Sequence, residues 1–342
     1  MNLSRKPHFA RPKFLATLFA VGLMFLLIGC SRDAPQNFLH PVGAIAKRED
    51  SLWRLTFGIA AVVFVLVEGA LLFVIVRYRQ KSSRDAPKQV HGNHKAEIAW
   101  TLIPVLLLSG IAVPTIKGIY DISAKPKDNP LEVTVIGHQW WWEYRYPTLG
   151  VTTANELHIP VGRPVYLTLE SVDVIHSYWV PKLAGKQDVV PGRINHMTIS
   201  SPVKGQFVGE CVEYCGASHA NMRNRVFADE ASDFDTWVSD QTKDRVAPET
   251  SLAQQGEQVF VNGPCVGCHT VKGTTAAGIV GPNLTHFASR GTFAGSIFDI
   301  NADAVSKWLA NPPARKPGSK MPNYHLSQDD IDALTAYLLS LK

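Results

Sequence analysis

The stretch "CVEYCGASHANM", residues 211–222, gathers two thiols, an imidazole, a thioether and a carboxylate: Cys211, Cys215, His219, Met222 and Glu213. The two thiols could close a disulfide. With a second histidine from elsewhere they could also hold zinc as a Cys2His2 set. A thioether is a poor zinc ligand and a good copper ligand, so Met222 points to copper of the electron-transfer kind. A single blue copper takes one cysteine, two histidines and an axial methionine. The second cysteine here therefore suggests a second metal ion.

A separate group lies near the C-terminus. "CVGCH", residues 265–269, has the C-x-x-C-H form of a haem attachment site. Cys265 and Cys268 would form thioethers to haem c, and His269 would be the proximal iron ligand. A thioredoxin-like redox pair is the competing reading, but no βαβ pattern surrounds these residues and a histidine follows at once. Met321 in "SKMPNY" is the expected sixth ligand, and Met/His ligation raises the reduction potential. His286 and His325 are rivals for that role, each expected at the surface.

Composition sets the frame for both sites. The chain has 342 residues, room for two or three domains, and a net charge of +5 with no long basic tract, so nucleic-acid binding has little support. All five cysteines sit in the contexts of Cys30, Cys211/Cys215 and Cys265/Cys268, which leaves little room for a disulfide framework. Residues 1–29 read as a signal peptide, with basic Arg5, Lys6, Arg11 and Lys13 before an apolar core. "LIGCS" resembles a bacterial lipobox, in which Cys30 would carry the lipid.

Residues 50–121 read as a hairpin of two transmembrane helices, Leu52 to Val76 and Ile98 to Tyr120, each with the ~20 residues that crossing a bilayer requires. The connection carries Arg77, Arg79, Lys81, Arg84, Lys88 and Lys95 against Asp85 alone. By the positive-inside rule that loop is cytoplasmic, and everything after residue 121 lies outside. Glu68 within the first span must face protein or water. Glu97 opens the second span in "EIAWTLIP", where the helix dipole favours an acid. Pro104 is expected to bend that helix or to sit where a neighbour serves the freed carbonyl.

From Leu131 the pattern becomes short alternating segments: "LEVTVIGHQWWWEYRY", "HIPVGRPVYLTLES", "INHMTIS" and "GQFVGEC". These read as strands of a small antiparallel Greek-key sandwich or barrel over residues 128–241. On a strand Trp140, Trp141 and Trp142 would alternate in facing, so at least one should point outward. A polar linker is expected at 242–251, and a helical domain at 252–342. Its last helix would start at N-cap Ser327 with acids in the first turn.

"CVEYCGASHANM" resembles the C-x-E-x-C-x3-H-x2-M signature of the dinuclear copper (CuA) domain of cytochrome c oxidase subunit II. "DVIHSYWVP", "KQDVVPGR", "GHQWWWEY" and "EIAWTLIP" resemble segments of that family in the expected order, over residues 50–240. "NMRNRV" departs from the family's commoner Met-Pro continuation. Residues 252–342 resemble a class I cytochrome c.

The resemblance implies a two-helix membrane hairpin, an all-β cupredoxin-like Greek-key domain and an all-α cytochrome c domain, a caa-type fusion. Cys211 and Cys215 would bridge two coppers. His176 and His219 would cap one each, and Met222 and the carbonyl of Glu213 would be weak ligands. The Glu213 side chain would reach a magnesium ion shared with subunit I. Trp140 matches the electron-entrance tryptophan, and Glu97 a carboxylate at the mouth of a proton path. The implied partners are oxidase subunits I and III, cytochrome c or another upstream donor, and membrane lipid. The implied location is a bacterial inner membrane, with both redox domains periplasmic. Electrons would run from haem c through the copper pair to subunit I, where the complex reduces oxygen and pumps protons. The alternatives are a nitric oxide reductase subunit, or a quinol oxidase subunit II, which lacks the copper ligands.

Overall fold

Backbone polar groups in lipid must be satisfied within the segment, so the two apolar runs can span only as helices. In the computed structural model they are α1 (Ala44–Arg77) and α2 (His94–Ser123). The structure describes residues 17, 20–22, 34–79, 89 and 91–342. The lipid-anchor candidate Cys30, most of the signal segment, and Lys81, Arg84, Asp85 and Lys88 of the connecting loop lie outside the described residues.

The side chains of α1 and α2 find little cover within the chain. Leu66, Val76, Leu106 and Leu108 expose 66–72% of their surface, an apolar exterior that water does not favour. Arg48 pairs with Asp121 at 2.7 Å, so the start of α1 and the end of α2 lie side by side. α2 begins on Asn93, whose side-chain oxygen accepts from the N–H groups of Lys95 and Ala96. It runs unbroken through Pro104 and Pro114. The N–H groups of Val42 and Gly43 donate to Lys182, and that of Ala46 to Leu183, which seats α1 on the outer domain.

The outer domain packs two five-stranded sheets face to face. The first runs β3 (Val151–Ala154), β2 (Trp141–Tyr146), β1 (Leu131–His138), β5 (Val165–Ser171), β8 (Asn195–Ile199). The second runs β4 (Glu156–Pro160), β10 (Arg223–Asp229), β9 (Gly205–Cys211), β6 (His176–Trp179), β7 (Gln187–Val189). The sheets are mixed rather than purely antiparallel: β1 pairs with β5 and β4 with β10 in parallel. "LEVTVIGHQWWWEYRY" is a hairpin rather than one strand, turning at Gln139 and Trp140. Trp140 therefore escapes the strand alternation. Trp142 is fully buried in the core with Tyr144 and Tyr178, while Trp141 is half-buried and stacks on His138 at 4.1 Å.

Helix α3 (Ala231–Thr242) closes the sandwich. The chain from 243 to 250 is tied along the next domain: His286 contacts the Lys243 carbonyl, and Arg245 pairs with Glu257. The C-terminal domain holds α4 (Ser251–Asn262), the hairpin of β11 (Thr292–Phe293) and β12 (Phe298–Asp299), α5 (Ala302–Ala310), α6 (Pro312–Arg315) and α7 (Gln328–Ser340). α7 starts on Ser327, whose hydroxyl accepts from the Asp330 N–H. His286 is buried, not at the surface as the sequence suggests. Its ring nitrogens face the carbonyls of Lys342 and Lys243. His325 is exposed.

α4 crosses α7 where Gly256 has no side chain. A Cβ there would overlap the Ala333 carbonyl and crowd the Tyr337 side chain. Gly256→Val should lower the stability of this domain by about 1–3 kcal/mol through overpacking. Hydrogen exchange should show faster opening across 251–342 with the sandwich unmoved.

Candidate functional site

Strand periodicity places the first thiol. Along β9 the buried positions alternate through Phe207, Gly209 and Cys211, so Cys211 ends on the core face. Tyr178 of β6 pairs across from Cys211, and His176, two residues earlier, shares its face. The remaining candidates sit on the loop 212–222 between β9 and β10. It turns at Gly216, φ +116°, where a Cβ would press on the Trp140 ring at 3.0 Å. A 3-10 turn, His219–Asn221, then brings Met222 back beneath Cys211, whose N–H donates to the Met222 carbonyl at 2.9 Å.

The donor atoms converge. The Cys211 and Cys215 sulfurs are 3.8 Å apart, far beyond a disulfide bond of about 2.05 Å. An ion at a usual metal–thiolate distance of about 2.3 Å from each sulfur fits between them. Nδ1 of His176 lies 3.9 Å from the Cys211 sulfur, and Nδ1 of His219 lies 3.5 Å from that of Cys215. The Met222 sulfur is 3.9 Å from Cys215, and the Glu213 carbonyl 3.4 Å from Cys211. His176, Cys211, Cys215 and Met222 are all buried. The Glu213 side chain is exposed, its carboxylate accepting only from the neighbouring Tyr214 N–H among the hydrogen bonds seen. This donor set, with two sulfurs close enough to share ions, suits a pair of coppers better than one zinc.

The electrostatics prepare one of the two thiols for metal. A hydrogen bond from Cys215 pulls the Cys211 thiol well below its ordinary value, against the opposing effect of burial. The hydrogen bond with Cys211, then burial and the Cys211 charge, push Cys215 up. His176 Nε2 lies 2.9 Å from Asp173, which leaves Nδ1 facing the sulfurs. Burial opposes the charged imidazole, but Asp173 and Cys211 outweigh it and raise the His176 value. Asp173 was not among the residues picked out from the sequence. The signal was there in "DVIH", because a ligating histidine usually has a carboxylate on its other nitrogen.

The two residues at the β1–β2 turn clamp the loop. Gln139 Nε2 and Trp140 Nε1 both donate to the Cys215 carbonyl, at 2.8 and 3.0 Å. Trp140 is buried with its ring against Gly318 of the C-terminal domain. Glu97 lies at the far end of the hairpin, where its carboxylate accepts from the Asn93 N–H and approaches His94. That is a helix-capping contact.

In the C-terminal domain Cys265, Cys268, His269 and Met321 all line one cavity of about 520 Å³, within the usual range for a bound cofactor. His269 Nδ1 donates to the Pro282 carbonyl at 2.8 Å, which leaves Nε2 as the free lone pair. Burial lowers its value and keeps the ring neutral. The walls are mostly apolar, with Leu284, Phe287, Val305 and Leu334 among them. Arg290 also lines the cavity, and its Nε is buried without a partner, a donor suited to the acidic edge of a haem. The residues fit the group. Trp140 and Trp141 of the sandwich close the same cavity from outside.

Comparison with known proteins gives three matching family models: "Cytochrome C oxidase subunit II, transmembrane domain" over 33–117, "Cytochrome C oxidase subunit II, periplasmic domain" over 150–228, and "Cytochrome c" over 253–342. The chain is 39% identical to cytochrome c oxidase subunit 2 of Alkalihalophilus pseudofirmus, covering 94% of this chain and 95% of that one. It is 33% identical to the Bacillus subtilis protein of the same description, covering 93% and 94%. A quinol oxidase subunit 2 of Bacillus cereus matches at 30% over 72% of this chain and 85% of its own length.

Asp173→Asn should weaken copper binding about 10- to 100-fold with the fold intact, as loss of a carboxylate behind a ligating histidine does elsewhere. Competition with a copper chelator measures this. Thiols bind metal as thiolates, and the Cys215 value is pushed up, so metal binding there works against a retained proton. Copper affinity should therefore rise with pH by about tenfold per unit for each proton released, in the same competition repeated across pH.

Proposed function

Since the chain belongs to the cytochrome c oxidase subunit II family, we propose that Cys211, Cys215, His176, His219, Met222 and the Glu213 carbonyl hold its copper pair, and that Cys265, Cys268, His269 and Met321 hold a covalent haem c. As subunit II of a haem-copper oxidase with a fused cytochrome c domain, it works with subunit I in a terminal oxidase that reduces oxygen. The two apolar helices anchor it in a membrane and the sandwich is periplasmic.

The observation that carries the residue assignment is the meeting of six donors, four of them around two cysteine sulfurs 3.8 Å apart. Bound there, the copper pair and the haem supply one-electron exchange with little change of geometry. The protein holds their surroundings still. Asp173 and the Pro282 carbonyl each fix the outward nitrogen of a histidine. The clamp of Gln139 and Trp140 on the Cys215 carbonyl holds the metal loop, and the β-sheet behind Cys211 resists its displacement.

Trp140 is the electron-entrance residue in this reading. It touches the haem cavity on one side and the metal loop on the other. The exposed Glu213 carboxylate is free to share a magnesium ion with subunit I. Glu97 marks a proton-path mouth on the cytoplasmic side, alongside its capping contact. The wider assembly includes subunit III, an upstream cytochrome c or similar donor, and lipid of a bacterial inner membrane around α1 and α2. Cys30 is the point of lipid attachment. The 30%-identical quinol oxidase relative does not displace this reading, because the donor set is complete here.

Copper and haem analysis of the purified full chain, with electron paramagnetic resonance, tests the assignment. Two coppers per haem are expected, with one unpaired electron shared between them. Cys211→Ser should remove that signal and leave the haem spectrum. Zinc, or a single blue copper, would overturn the dinuclear assignment.

A further inference from the structure

The seam between the sandwich and the C-terminal domain is built from buried polar groups that cross it in both directions. Glu156 of β4 is 3% exposed. Its carboxylate accepts from the Gly291 N–H at 3.0 Å, and from the Thr292 N–H and hydroxyl at 2.8 and 2.7 Å, all in the opposite domain. Lys316 of the C-terminal domain is 4% exposed. Its Nζ donates to the Trp140 carbonyl of the sandwich at 2.5 Å and to its own Ala294 carbonyl at 2.7 Å. Burial pushes the Lys316 ammonium down to about 7, and the N–H donors of either form serve both carbonyls.

Main chain also meets main chain. The Arg223 N–H, next to Met222, donates to the Gly295 carbonyl at 2.9 Å. A proline at 223 would have no such donor. The Ser218 hydroxyl, next to His219, donates to the Pro317 carbonyl at 2.6 Å. At Gly295, φ +81°, a Cβ would meet the Asn221 carbonyl at 2.6 Å and the Trp140 carbonyl at 2.8 Å. The two backbones are in contact where any side chain would hold them apart.

We infer that Glu156 and Lys316 form a two-point lock that fixes the haem domain on the copper domain in one register, so that the fused cytochrome is a static relay rather than a tethered carrier. The inference rests on the copper and haem assignment above. A buried carboxylate whose donors all come from the facing domain makes any slipped arrangement costly, because a slip leaves it buried and unpaired. Lys316 adds a partial condition in the other direction, since a slip costs it one of its two acceptors, the carbonyl of Trp140 itself. The lock is therefore placed on the residue that lies between the two redox sites. Glu156 and Lys316 are positioning residues in this scheme, Glu156 lying outside the haem cavity and Lys316 at its wall.

The test uses the assembled oxidase. Photoreduction of the haem followed by its reoxidation by copper gives the internal transfer rate, measured as glycerol raises the viscosity. A rate independent of viscosity in the unmodified complex is expected. A rate that falls in proportion to viscosity would mean a swinging domain and would overturn the lock. Glu156→Ala and Lys316→Leu should each make the rate viscosity-dependent and slow it about tenfold through lost orientation, with the copper spectrum retained in both and the haem spectrum retained in Glu156→Ala. Unchanged rates in both variants would also overturn the lock. Hydrogen exchange at the Gly291 and Thr292 amides gives a second readout independent of transfer, expected to be about tenfold faster in Glu156→Ala as the local contact opens. Failure of the unmodified complex to carry two coppers and a haem would strike the assignment of function and not the lock, which the exchange readout still decides.

Discussion

The carbonyl oxygen of Cys215 accepts two hydrogen bonds from one turn, from Gln139 and from Trp140. Much of the site depends on this pair. It holds a loop of eleven residues, which has no ladder of its own, against the end of the first sheet. That fixes where the second sulfur stands relative to the first, which β9 places by strand periodicity alone. It also fixes the Trp140 ring in the plane between the metal loop and the C-terminal domain. A loop free to move would change its donor geometry on each electron transfer, and a redox site works fastest when its surroundings need no reorganisation.

The supports form a continuous series. Asp173 accepts from the Gln139 N–H at 2.7 Å, lies 2.9 Å from His176, and receives Lys320 of the C-terminal domain at 3.2 Å. Lys320 precedes Met321 in the chain. The same short segment, 316–321, thus supplies four residues of the cavity wall, two of them lysines that also grip the sandwich. Burial pushes Asp173 up, but hydrogen bonds from His176, two backbone N–H groups and Lys320 outweigh it and hold the carboxyl far below the ordinary range.

Much of this was legible from residue types and spacing. C-x-x-C-H points to haem because few other uses need two thiols and a histidine so placed, and the thioether among the soft donors of 211–222 points to copper over zinc. The apolar runs declare spanning helices because lipid leaves the backbone no alternative. Other features were misread for definable reasons. Trp140 to Trp142 read as strand alternation, but the chain turns at Gln139, and only the turn frees Trp140 to cover the metal loop. His286 read as surface because nothing local shows that the C-terminal carboxyl end and the chain at Lys243 would both close over it. The parallel pairing of β1 with β5 was invisible because strand patterns carry facing but not direction.

The sequence by itself determined which cofactor classes the chain suits and which segments must leave water. Those follow from side-chain identity and short-range spacing. Only the tertiary structure decided the relation between the two redox domains. A polar stretch at 242–251 is compatible with a loose tether, and nothing in "NEL" or "ARKPG" marks Glu156 or Lys316 as partners of distant main chain. Their role arises because N–H and C=O groups are the same at every residue and so leave no trace in sequence. Which of them meet across a seam is settled only when both domains are folded and in contact.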